Sequence, residues 1–203
     1  MTPRNARPIT LVFGLLAAAS TLALAGCEDA FGPQDWAAIA HSDSVTLYSL
    51  SRAEHATRPG GYDAISLNPL VIENAGVPAF SYDFLLAEDD AGALVFLPTG
   101  YFPDATVRPG ILRVDTASFA GFRRAPREDY VEEEPVPVEV GGVYAIRTRT
   151  TARGCPLYGK LEVLAATAEG TVDFRILRNP NCGDRDLLPT LEDEEEEEEE
   201  GEG

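Results

Sequence analysis

The chain has 203 residues, a formal net charge of −18, 44% hydrophobic residues and three cysteines. That length holds one domain of ordinary size with a real core, so neither a metal nor a disulfide framework is required to fold it. Sixteen basic against 34 acidic residues exclude a nucleic-acid partner, because phosphate binding needs clustered Lys and Arg.

The first element is a targeting segment. Arg4 and Arg7 form a short positive region, and residues 9–25 are apolar apart from Thr10, Ser20 and Thr21. The run is slightly short for a membrane span of about 20 residues. It ends at Leu24-Ala25-Gly26-Cys27, which resembles the lipobox of bacterial lipoproteins. The resemblance implies that residues 1–26 are a signal peptide, left out of the fold. It also implies that Cys27 accepts a lipid before cleavage after Gly26, and that the protein is exported. Residues 27–43 then read as the lipidated N-terminus and a tether, with a brief helical turn at 36–40.

From Ser44 to residue 190 the pattern is β. Predicted strands are 45–50, 64–72, 80–87, 93–98, 111–115, 138–150, 157–166 and 171–178. Gly and Pro clusters separate them, at Arg58-Pro59-Gly60-Gly61, Asn74-Ala75-Gly76-Val77-Pro78 and Arg108-Pro109-Gly110. Short β-branched runs with such punctuation predict an all-β, single antiparallel domain, a sandwich or a barrel-like sheet. No stretch keeps a 3.6-residue apolar period. Residues 125–137 read as a surface loop with room for a short strand. Residues 192–202 hold ten acidic side chains that repel one another, so residues 191–203 read as a disordered acidic tail.

The last hairpin specifies its own register. A four-residue loop at Thr167-Ala168-Glu169-Gly170 sets Ala166 opposite Thr171. Val172 then faces Ala165, Phe174 faces Val163 and Ile176 faces Leu161 on one apolar face. On the other face Arg175 meets Glu162, a cross-strand pair worth about 0.2–1 kcal/mol. The same register sets Cys155 opposite Cys182, close to the Cβ separation of about 3.5–4.5 Å that a disulfide needs. A two-residue turn at Glu169-Gly170 keeps the faces and loses the charge pair. Agreement of three features favours the first register and a structural disulfide, which an oxidising compartment preserves. The short link Thr151-Ala152-Arg153-Gly154 brings residues 143–150 alongside, making a three-strand C-terminal meander.

Candidate chemistry is sparse. His41 and His55 are the only histidines. His41-Ser42-Asp43-Ser44 contains the residue types of a hydrolytic triad, but neighbours in sequence rarely converge and no Gly-x-Ser-x-Gly elbow exists. Cys155 and Cys182 lack the close four-ligand spacing of a zinc site. Glu88-Asp89-Asp90-Ala91-Gly92 lacks the ligand spacing of an EF-hand and reads as a solvated hairpin loop. Phe80, Tyr82 and Phe84 share one face of a strand with Leu86, a pattern that is core or lines a cleft. No catalytic residue, metal site or cofactor is expected, and ligand-binding residues are unknown at this level.

A second resemblance is distant. Gly142-Val143-Tyr144-Ala145-Ile146-Arg147-Thr148, Tyr158-Gly159-Lys160-Leu161-Glu162-Val163 and Val172-Asp173-Phe174 resemble the C-terminal strands of HmuY-like lipoproteins. It covers about a quarter of the mature chain and implies a membrane-anchored, all-β protein. Some members of that family bind haem through paired histidines. The matched segments hold no histidine, so haem ligation does not carry over, and Cys155 and Cys182 depart from the family's pattern. The expectation is a non-catalytic binding or envelope-structural module, tied to a bacterial membrane by its lipid. The outer membrane is favoured over the inner, and the partner is an unspecified protein or small molecule. The alternatives are a carrier of a hydrophobic or haem-like ligand and an envelope enzyme.

Overall fold

The computed structural model describes residues 41–72 and 80–188. Cys27, the segment expected to be a signal peptide, the Gly and Pro cluster at 74–78 and the acidic residues 192–202 lie outside the described residues. Ten strands form two five-stranded antiparallel sheets, not closed into a barrel, so the domain is a β-sandwich. The strands are β1 (His41–Tyr48), β2 (Gly61–Asp63), β3 (Asn68–Leu70), β4 (Phe84–Glu88), β5 (Leu94–Pro98), β6 (Gly110–Val114), β7 (Val136–Pro137), β8 (Val143–Arg147), β9 (Tyr158–Ala166) and β10 (Thr171–Arg178). The first sheet runs β1-β10-β9-β8-β6 and the second β3-β2-β4-β5-β7. Among the described residues no helix is long and apolar enough to cross a membrane.

Aromatic rings join the two sheets. Phe174 and Tyr144 project from the first sheet onto Tyr62, Phe84 and Phe96 of the second, with ring centroids 5.1–6.4 Å apart. All five are fully buried. The mostly edge-on or tilted packing suits the ring quadrupoles and adds to the area each ring removes from water. Around them Leu47, Leu86, Ile146, Leu161, Val172 and Ile176 complete the inner core. The hydroxyl of Tyr144 donates to the Pro137 carbonyl at 2.8 Å and accepts from the Glu139 amide at 3.0 Å, so its polar end is satisfied.

The first sheet is buried on its outer face as well. Residues 115–130 and the segment after β10 lie across it and form a second core of Phe122, Ala125, Tyr130, Val143, Ala145 and Leu187. That cover explains β8, whose residues Val143–Ile146 are all buried. A strand covered on both faces reads as a continuous apolar run instead of an alternation.

The final meander, β8-β9-β10, has the expected order. Phe174 faces Val163, Arg175 faces Glu162 and Ile176 faces Leu161, as the apolar and charge pairing require. Nearer the turn the register differs. Val172 pairs with Ala166 and Asp173 with Ala165, because the ladder shifts between Asp173 and Phe174. The residue left over is Leu164, which is 42% exposed. The loop is also shorter than expected. The Thr167 amide donates to the Thr171 carbonyl, and Gly170 closes the turn at φ +80°, where a side chain would be strained.

Three other expectations need correction. The strand expected over 64–72 is a turn followed by β3, with β2 preceding it. The strand expected from residue 80 begins at Phe84, because Phe80 has φ +61° and breaks the alternation. Tyr82 therefore packs edge-on against Phe102, away from the Phe84 face. At the N-terminal side β1 starts at His41, inside the segment assigned to the tether.

Candidate functional site

The densest cluster of buried charge sits where β2, the start of β4 and the end of β8 meet. Asp83 is 1% exposed. Its Oδ2 accepts from the Ala64 amide at 2.7 Å and from Arg149 Nη1 at 2.9 Å, while its Oδ1 accepts from the Arg149 amide at 2.7 Å. The same Nη1 lies 2.9 Å from Asp63 Oδ1. Asp63 in turn accepts from the Ile65 amide and the Ser66 hydroxyl, holding the turn before β3. Burial pushes the Asp83 carboxyl up to about 6, against the opposing pull of Arg149. Beside this clasp, Tyr62 Oη and Arg178 Nε are buried without a hydrogen-bond partner among the described residues.

The clasp binds one sheet to the other. Asp83 and Asp63 belong to the second sheet, and Arg149 follows β8 of the first. Acid–base chemistry needs a carboxyl that reaches a substrate proton. Asp83 is sealed from solvent and already receives three donors, so its role here is to hold the sheets together.

Of the two histidines only the His55 side chain is described. His55 is buried, its ring edge-on to Tyr48 at 5.2 Å, and its Nδ1 donates to the Ser49 carbonyl at 3.2 Å. His41 begins β1 and Tyr48 ends it. In the acidic loop, Glu88 pairs with Arg52 at 2.5 Å, and Asp89 caps its own turn by accepting from the Ala91 and Ala93 amides. Those carboxylates are committed to the hairpin. No group of three potential metal ligands occurs among the described residues.

Cys155 and Cys182 are disulfide-bonded, with Cα atoms 5.6 Å apart. The bond pins the chain leaving β10 to the turn before β9. That chain then runs antiparallel to the cover loop. Ala125 N donates to Arg185 O, and Leu187 N donates to Arg123 O, both at 2.8 Å. Beneath them Lys160 is 3% exposed and donates to the Phe122 carbonyl at 3.1 Å. Its ammonium lies 4.9 Å from the Phe119 ring centre, and the Arg175 guanidinium lies 4.4 Å from the same ring. Burial, then Arg175 and Arg123, hold the Lys160 amine below its usual range.

Part of this arrangement is signalled locally. A charged Asp83 inside the run Tyr82-Asp83-Phe84-Leu85-Leu86 is a signal for a buried pair. Its partner Arg149 lies 66 positions away, and nothing local connects them. The stacking of Lys160 and Arg175 on Phe119 depends on where the cover loop falls, which the strand pattern does not specify.

The geometry defines an all-β antiparallel sandwich with a disulfide-pinned outer layer. No protein-family model matches the chain, and no curated protein matches it.

Proposed function

We propose that this chain is a bacterial lipoprotein, exported and held in the cell envelope by a lipid on Cys27. Its β-sandwich serves there as a non-catalytic binding or envelope-structural module, with the outer membrane as its favoured site. The observation that carries the reading is the motif Leu24-Ala25-Gly26-Cys27 directly after the apolar run of residues 9–25. A disulfide between Cys155 and Cys182 is in keeping with an oxidising compartment. The commitment of Asp63, Asp83, Arg149, His55, Glu88 and Asp89 to internal contacts supports a module that binds or scaffolds without catalysing.

The test is Cys27→Ser in the full precursor. The variant stays unprocessed by the lipoprotein peptidase and loses its lipid-dependent share of detergent-phase partitioning. Normal processing together with unchanged partitioning overturns the reading.

A further inference from the structure

Arg52, Arg108, Arg113, Arg147, Arg149 and Arg175 each bind a carboxylate. Arg58, Arg123, Arg124, Arg127 and Arg153 are exposed, where water hydrates a guanidinium without further help. Arg185 donates to the Ala125 carbonyl at 3.0 Å. Arg178 is different. It is half-buried, and among the described residues its guanidinium has neither a carboxylate nor a carbonyl. Its Nε is buried without a hydrogen-bond partner.

The strand explains how a guanidinium comes to lie there. On β10 the buried Val172, Phe174 and Ile176 face inward, and Arg178 is the next residue on that face. Its partner across the ladder is Gly159, which brings no side chain to that position. From the second sheet comes Tyr62, fully buried, its ring edge-on to Phe174 at 5.2 Å. The Tyr62 Oη is also buried and unpartnered. Tyr62 and Arg178 stand near enough for each to shift the titration of the other, and Asp63 acts on both.

Both orphans offer a proton. Burial raises the Tyr62 hydroxyl, so it stays protonated, and Arg178 can only donate. The nearby carboxylates are engaged. Asp63 accepts from the Ile65 amide, the Ser66 hydroxyl and Arg149, and Asp83 from two amides and Arg149. Asp83 holds its proton below about 6. In that range Arg149 and Arg178 face Asp63 alone. Two neighbouring buried donors without an acceptor forfeit their hydration, which native folds rarely tolerate unless a ligand or ion answers them.

We propose that Tyr62 Oη and Arg178 Nε form a site for one small monovalent anion of the halide class, which joins β2 of the second sheet to β10 of the first beside the Asp63–Arg149–Asp83 clasp. Two converging donors suit a single-atom acceptor better than a tetrahedral oxyanion, whose further oxygens find no donor here. Because Arg178 is only half-buried, the ion enters by displacement of that one side chain. The site does not depend on a lipid at Cys27, and its test leaves that reading untouched.

The test uses the full chain at about pH 5, with sodium bromide as the probe and sodium gluconate holding ionic strength constant. Bromide raises the thermal midpoint saturably, by about 3 °C at tenfold its half-saturating concentration. Tyr62→Phe keeps the ring and loses the rise, as does Arg178→Met, which keeps the stem. Arg58→Gln, an exposed arginine, retains it. Crystals grown in bromide show an anomalous peak within hydrogen-bond distance of both atoms. Should Arg178→Met fail to fold, Tyr62→Phe and the peak decide. An unsaturable rise, an equal rise in Tyr62→Phe, or water in place of bromide overturns the proposal. A peak without the solution shift is an adventitious ion only and overturns it too.

Discussion

A carboxylate removed from water must recover its solvation from donors, and Asp83 shows the balance at a single residue. It receives two amides and one guanidinium, yet burial dominates and its pKa rises to about 6. An aspartate in the unfolded chain titrates near 3.9. A raised folded value means the native state holds the proton more tightly. The stabilisation linked to that proton is complete below about pH 4 and is lost as pH rises through about 6. Two units correspond to roughly 3 kcal/mol. Asp83→Asn does not titrate and serves as the reference. The unfolding free energy of the native chain minus that of Asp83→Asn falls by about 2–3 kcal/mol between pH 4 and 7, measured by urea denaturation. A difference independent of pH contradicts the assignment.

At the scale of the element, the final hairpin shows what a sequence can specify and where it stops. Alternation and the Arg175–Glu162 pair fix the register from Phe174 outward, because a slip of one residue turns the apolar set to the wrong face. The shift between Asp173 and Phe174 escapes, since Leu164 and its neighbours are all acceptable on a strand. It follows from a three-residue loop closed by Gly170, whose backbone adopts φ +80°. The turn at Phe80 escapes for a similar reason: an aromatic residue at φ +61° contradicts local preference, and only the surrounding fold holds it. The disulfide was legible because three independent features met in one register. It closes a loop across a separation of 27 residues. Loop-closure entropy predicts about 3–4 kcal/mol for such a bridge, with measured values often lower. Replacing Cys155 and Cys182 together by Ala lowers the unfolding free energy by about 2–4 kcal/mol in denaturant titrations. Peptide mapping that finds both thiols free in the purified protein removes the premise.

At the scale of the whole molecule, three layers share one sheet. The first sheet contributes Phe174, Tyr144 and Leu161 inward and Val143 and Ala145 outward, so β8 belongs to both cores. The two cores differ in how they are held. The inner one closes two sheets around interlocked rings. The outer one rests on a loop and an exiting segment, joined by the Arg124–Asp186 bridge and pinned by the disulfide. Loop-built layers open locally at lower free energy than the strands beneath them. Leu187 and Phe174 are both fully buried, one in each core. Leu187→Ala therefore costs about 2–4 kcal/mol, and Phe174→Ala about 3–5 kcal/mol. Their signatures in native-state hydrogen exchange differ. Leu187→Ala speeds exchange in residues 119–131 and 185–188 while β4, β5 and β10 keep their protection. Phe174→Ala lowers protection in every strand together. Uniform loss of protection in Leu187→Ala shows instead that the cover and the sandwich unfold as one unit. In that case the cover is as rigid as the sheet below it. A cover that opens by itself makes residues 119–131 and 185–188 a unit of lower local stability than the strands they cover.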